Sequence, residues 1–129
     1  MKKSGESEMK ILIIDDSKFM RNAIEAKLKF LGLEIHHAEN GETGIKLALK
    51  VLPSLILLDV RMPGMDGFET CLQMRQFDSL QKIPIIMVTV ESDEASVKKA
   101  IRAGATDYVL KPVNFEDLVK KLDKYMPAP

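Results

Sequence analysis

Two adjacent carboxylates, Asp15 and Asp16, follow directly on the branched apolar run Ile11 to Ile14. A third, Asp59, lies at the end of "SLILLDV" (54–60). Thr89 follows "IPIIMV" (83–88), and Lys111 follows "DYVL" (107–110), just before Pro112. Brought together, these residue types suit one chemistry. Carboxylates at close range repel: a unit-charge pair about 4 Å apart costs about 1 kcal/mol in water and about 4 kcal/mol at a near-surface effective dielectric. Lys111 offsets one of three negative charges, and a single divalent cation offsets the other two. An all-oxygen donor set of this kind suits magnesium, which keeps waters and takes a few carboxylates plus a phosphate oxygen. A carboxylate attacking phosphorus in line, beside a metal and a lysine, describes phosphoryl transfer without a nucleotide cradle.

The elements that must position these groups are visible as five short apolar runs, at 9–14, 33–37, 54–60, 83–88 and 107–110. The first, third and fourth are almost wholly apolar, as strands covered on both faces are. The stretches between them read as helices. Met20, Ile24, Leu28 and Leu31 share one face of the first, with Gly32 as its C-cap. The second runs from Asn40 to Val51 with Ile45, Leu47, Ala48 and Leu52 apolar, and Pro53 stops it. Asp66 and Glu69 have capping-box spacing at the start of the third, whose inner face is expected to hold Phe68, Cys71, Leu72 and Phe77. The fourth, at 93–103, has only Ala95, Val97, Ala100, Ile101 and Ala103, the poorest apolar face of the five. The fifth follows Asn114 and carries Phe115, Leu118, Val119 and Leu122.

Five strand–helix units in 129 residues predict a parallel sheet with helices on both faces. In such a sheet ligands bind beyond the carboxyl ends of the strands. Four of the five runs aim polar groups at that edge. The second, "LEIHH", offers none, as befits an edge strand away from the site. His36 and His37 are adjacent in it and point to opposite faces, so they do not share an ion.

Composition narrows the function classes. Lys plus Arg and Asp plus Glu are both 19, so neither nucleic acid nor an anionic membrane is expected as a partner. No apolar run approaches the roughly 20 residues of a membrane helix, and "MKKSGESEMK" lacks the apolar centre of a signal peptide. The single Cys71 forms no internal disulfide, which fits a reducing cytoplasm. Residues 1–8 read as a flexible tail, 9–126 as one domain and 127–129 as a C-terminal tail.

The motifs "IDDS", "LLDVRMPGMDG", "MVT" and "YVLKP", in this order and spacing, resemble the receiver domain of two-component response regulators, and single-domain CheY-like members most of all. The resemblance implies a flavodoxin-like (βα)5 three-layer sandwich with strand order 2-1-3-4-5. It implies Asp59 as phosphoacceptor, with Thr89 and Lys111 contacting the phosphoryl group. Asp16 would bind Mg²⁺ directly, Asp15 largely through water, and Asp59 and the backbone carbonyl of Arg61 would complete the protein ligands; Mn²⁺ is a possible substitute. Tyr108 would turn inward as Thr89 moves, and the Lys111–Pro112 peptide would be cis. The donor would be a histidine kinase or histidine phosphotransfer protein. A downstream target would dock on the face of the fourth helix, fifth strand and fifth helix, in a chemotaxis-type or phosphorelay pathway. No metabolite substrate is implied beyond self-phosphorylation and self-dephosphorylation.

Three positions tune this expectation. Val90 stands where many members carry Ala or Gly, and its bulk is expected to narrow access to the phosphoryl group. Arg61 and Glu91 look onto the site with opposite charges and are expected to pair over its mouth. The competing readings are plainer. Asp15 and Asp16 could cap the first helix, and Tyr108 could be a packed strand aromatic. The chain could be the receiver of a longer regulator. A Mg²⁺-dependent phosphohydrolase of the haloacid-dehalogenase pattern would want an Asp where Arg61 stands. A flavodoxin-like cofactor binder would want a hydroxyl- or Gly-rich loop where "DDSKFM" stands.

Overall fold

The computed structural model describes residues 9–126; the tails expected at 1–8 and 127–129 lie outside them. Strands β1 (Lys10–Ile14), β2 (Glu34–Ala38), β3 (Leu55–Asp59), β4 (Ile85–Thr89) and β5 (Asp107–Leu110) alternate with helices α1 (Lys18–Leu28), α2 (Gly41–Val51), α3 (Gly67–Met74), α4 (Glu94–Ala103) and α5 (Phe115–Tyr125). The strands pair in parallel in the order β2-β1-β3-β4-β5, with β2 at one edge. This is the flavodoxin-like arrangement expected from the motifs. Among the described residues, no helix is long and apolar enough to cross a membrane.

Strand side chains alternate between two cores, as the period of two demands. Leu12, Ile14, Ile56, Leu58, Ile85 and Met87 face α2, α3 and α4, where Ile45, Cys71, Met74 and Ala100 meet them. Ile11, Ile13, Leu55, Leu57, Ile86 and Val88 face α1 and α5, against Ile24, Leu28, Leu118 and Leu122. β3 and β4 are buried at every position. Each fully buried Leu or Ile contributes roughly 1.5–3 kcal/mol, so the strand ends carrying the polar groups are held firmly.

Side chains start all five helices. Ser17, Asn40, Asp66, Asp93 and Asn114 each accept a hydrogen bond from a backbone N–H three residues on. Ser17 is therefore the cap of α1, which leaves Asp15 and Asp16 without that role. Asp66 accepts from the Glu69 N–H, but the Glu69 carboxylate accepts from Gln73, so one half of the expected capping box forms.

Five large apolar residues differ from their expected burial. Leu31 is exposed because α1 ends at Leu28 and a 3-10 turn (Lys29–Leu31) turns it off the helical face. Leu52 is exposed as the left-handed C-cap of α2. α3 ends at Met74, which fills the core place assigned to Leu72; Leu72 and Phe77 are exposed, Phe77 because it lies beyond the helix. α4 buries only Ala100 and Ala103, and its Ile101 is 67% exposed.

Arg75, at the C-cap of α3, ties several segments together. Its Nη1 donates to the carbonyls of Leu80, Gln81 and Ile83, and its Nε donates to the carbonyl of Gly104 at the end of α4. Gly104 has φ +97°, a left-handed conformation suited to glycine. Burial lowers the pKa of Arg75 below the usual arginine value, with Cys71 opposing. Burial pushes the Cys71 thiol up to about 11, so it stays a protonated core residue.

Candidate functional site

The carboxyl ends of β1 and β3 place Asp15 and Asp59 side by side, 3% and 4% exposed. Asp16 follows on the open side of the loop. Carboxylate oxygens of Asp15, Asp16 and Asp59 all lie within 4.8 Å of one another. Lys111, just after β5, reaches in from the far side: its Nζ donates to Asp59 Oδ1 at 2.9 Å and lies 3.9 Å from Asp15 Oδ2. The Lys111–Pro112 peptide is cis.

The two buried acids are short of positive charge. Burial pushes the Asp59 carboxyl up; the Lys111 hydrogen bond opposes this, and the charges of Asp15 and Asp16 add to it. Burial also raises Asp15, against the Ser17 N–H, Lys111 and Arg21, with Asp16 again adding. A divalent cation among these oxygens would remove the mutual repulsion. The donor set is all carboxylate oxygen and leaves room for water on the Asp16 side, so the residues fit a hard divalent cation.

Asp15 is braced at almost every polar atom. Its N–H donates to the Ala38 carbonyl, its Oδ1 accepts from the Ser17 N–H, and its carbonyl accepts from Arg21 Nη1. Asp16 makes no such contact and is exposed. Gly67, the first residue of α3, sits directly behind Asp59. A Cβ there would run into the Asp59 backbone oxygen and Val60 Cα. Neither Gly67 nor Arg21 stands out in sequence as a site residue. "DGFE" reads as a helix start, and an arginine in the opening turn of a helix reads as a solvated charge.

The opposite wall is β4 and the loop after it. Thr89 is buried, and its hydroxyl accepts from the Glu91 N–H at 3.0 Å. Arg61, exposed after β3, donates from Nη2 to Glu91 Oε1 at 3.1 Å, so the two charges meet across the mouth. Ser96 of α4, whose hydroxyl donates to Asp93 Oδ1 at 2.9 Å, has its Oγ 3.5 Å from the same Glu91 oxygen. Val90 is 61% exposed at the rim. Behind Thr89 is an apolar cavity of about 10 Å³ lined by Val60, Phe68, Met87, Val97, Ala100 and Tyr108. Tyr108 is half-buried against this core. His36 and His37 are remote from the site: His37 bonds Glu25 of α1 at 2.6 Å, and His36 bonds Glu34 of its own strand.

This constellation can be set beside known proteins. The chain is 37% identical over 114 residues to Protein PilH of Pseudomonas aeruginosa, covering 88% of this chain and 94% of that one. It is 43% identical over 103 residues to the transcriptional regulatory protein AfsQ1 of Streptomyces coelicolor, covering 80% of this chain and 44% of that one. It therefore spans less than half of AfsQ1 but nearly all of PilH. Among solved structures, the Vibrio cholerae chemotaxis protein CheY4 superposes with a TM-score of 0.88 at 32% identity, over 92% of this chain and 99% of that one. The response regulator receiver domain family matches residues 11–123, a span that runs from β1 into α5 and includes Asp15, Asp16, Asp59, Thr89 and Lys111. The chain belongs to that family: it is a CheY-like receiver domain of two-component response regulators.

Proposed function

We propose that this receiver, residues 9–126, accepts a phosphoryl group on Asp59 from the phosphohistidine of a histidine kinase or histidine phosphotransfer protein, and that the modified form binds a target. The observation that carries this reading is the convergence of Asp15, Asp16 and Lys111 on the buried Asp59 carboxylate. An Asp59 oxygen attacks phosphorus, the P–O bond forms, and the P–N bond breaks with its electron pair leaving on the donor imidazole. Water later attacks the same phosphorus and returns carboxylate and inorganic phosphate. The chain acts on no separate metabolite.

Mg²⁺, or Mn²⁺ in its place, supplies charge neutralisation of the phosphoryl oxygens. Asp15, Asp16, Asp59 and the Arg61 carbonyl would hold it. Lys111 gives up its bond to Asp59 to pair with the incoming phosphoryl oxygens, and Thr89 turns its hydroxyl from the Glu91 N–H towards them. That movement enlarges the cavity Tyr108 adjoins and lets its ring move in, biasing a two-state packing element. The outward signal would be read on α4, β5 and α5, since α4 is anchored in the core by two alanines where α1 and α5 bury Ile or Leu. The Arg61–Glu91 pair and Val90 would regulate how freely donor and water reach Asp59.

The mouth is cytoplasmic in this reading, in a chemotaxis-type or phosphorelay pathway; the likeness to CheY4 supports the first. The partial coverage of AfsQ1 and of the regulatory protein AtoC of Escherichia coli, 44% and 23%, favours a second reading in which the receiver controls a further domain. Intact mass spectrometry with acetyl phosphate and Mg²⁺ tests the chemistry. Wild type is expected to gain one phosphoryl group and Asp59→Asn none; equal labelling of both sinks the assignment.

A further inference from the structure

Arg21 lies early in α1, on none of the positions that build its core, and the phosphoryl chemistry leaves it unused. We infer that Arg21 is the positioning residue of the metal loop: its guanidinium fixes the peptide plane between Asp15 and Asp16 and so sets the affinity of the carboxylate cluster for a divalent cation. This rests on the proposed reading of that cluster as a Mg²⁺ site.

The carbonyl Arg21 grips is the one joining the two acids. Nη1 donates to it at 2.6 Å, the short length of a charge-assisted bond. With the Asp15 N–H held by Ala38 and Oδ1 by Ser17, only Oδ2 of Asp15 remains open towards Lys111. Asp16 has no side-chain partner of its own, so the preceding peptide plane is what places the Cα from which its carboxylate reaches, within the staggered rotamers open to it. Metal donors must be held within about 0.5 Å of their productive places, and a freely rotating peptide would not keep that tolerance.

The arginine is also held at a cost. Its Nε is buried with no hydrogen-bond partner. A side chain retained only to pack α1 would not be left with an unpaired buried donor. The Asp15 carbonyl is what holds the guanidinium in place.

The sign of the effect separates positioning from charge. A nearby cation repels Mg²⁺, so if Arg21 acted only through its charge, its removal would tighten metal binding. Positioning predicts the reverse. The test is a Mg²⁺ titration of the full chain followed by NMR amide shifts, since the chain has no Trp to report binding. Arg21→Met is expected to weaken Mg²⁺ binding about tenfold, the scale typical of a lost outer partner, and Arg21→Lys about threefold because it keeps one donor and loses the fork. At saturating Mg²⁺, Arg21→Met should be phosphorylated by acetyl phosphate within about twofold of the wild-type rate, the split expected of a binding defect. Equal or tighter Mg²⁺ binding by Arg21→Met overturns the inference. If that variant does not fold, Arg21→Lys decides, and wild-type affinity there overturns it. Wild type that binds no Mg²⁺ removes the reading of the carboxylate cluster itself, and this inference with it.

Discussion

The molecule holds acids at both ends of its sheet, buried at one and half-buried at the other, and treats them in opposite ways. At the carboxyl ends of β1 and β3, burial leaves Asp15 and Asp59 with raised pKa values and a single lysine between them. At the amino end of β5, burial also works against Asp107, but three donors overcome it: the Tyr125 hydroxyl at 2.7 Å, Lys121 Nζ at 2.9 Å and the Tyr108 N–H at 2.8 Å. Its pKa is lowered. An acid that ties α5 to β5 is given its partners within the chain. Acids that must meet an incoming cation and phosphoryl group are left under-supplied, and the fold around them carries the cost.

That contrast can be broken at several points. The largest effect expected is cation stabilisation: at about 100 times the dissociation constant, Mg²⁺ should raise unfolding free energy by about 2.7 kcal/mol. Thermal melts with and without Mg²⁺ should show this in wild type and in Asp107→Asn, and show little of it in Asp59→Asn. Next is the sign of amide substitution in metal-free protein at neutral pH. Asp107→Asn should lose about 1 kcal/mol, a charged hydrogen-bond set discounted for its partial exposure. Asp59→Asn should lose nothing and gain up to about 1 kcal/mol, because it removes a buried ion and Lys111 retains Asp15. Denaturant midpoints for the two variants check both signs; destabilisation of both by similar amounts would erase the distinction.

The pH dependence sharpens the same point. Asp15 and Asp59 hold protons more tightly folded than unfolded. Their contribution to metal-free stability therefore falls as pH rises from the ordinary value of 3.8 through the raised folded values. Asp107 runs the other way: its contribution is present above 3.8 and is lost as pH falls through its lowered folded value. Denaturation across the acidic range should show the first trend diminished in Asp59→Asn and the second removed in Asp107→Asn. The smallest stability change is expected at the mouth. Arg61→Ala breaks an exposed ion pair and should cost under about 1 kcal/mol. Its effect should appear instead in the lifetime of the phosphorylated form, followed by mass spectrometry.

Much of the site was legible in sequence because a strand is a straight ruler. Apolar runs ending at Ile14, Asp59, Thr89 and Leu110 must deliver whatever follows them to one edge, and that alone brings Asp15, Asp59, Thr89 and Lys111 together. What was not legible depends on directions that no run encodes. Arg21 folds back across a turn to a carbonyl. Gly67 matters for the side chain it lacks. Lys121 and Tyr125 meet Asp107 only because α5 lies antiparallel against β5. Leu72, Phe77 and Ile101 looked like core residues by type. Helix ends and phase turned them outward: α3 stops at Met74, and α4 seats itself on two alanines.

The grip of Arg75 on Gly104 has a mechanical consequence. It pins one end of α4, while the leading turn faces the mouth of the site, with Ser96 beside Glu91. A rod with one fixed end can pivot but not slide. α4 has ten residues, about 15 Å of helix. A tilt of about 10° about Gly104 would therefore carry its leading turn some 2.6 Å, about half a helical pitch, while Ala103 hardly moves. Displacement would grow steadily along the helix from Gly104 towards Glu94. The α4 surface that changes most is then the end beside Glu91, and the end beside Arg75 serves as its fulcrum.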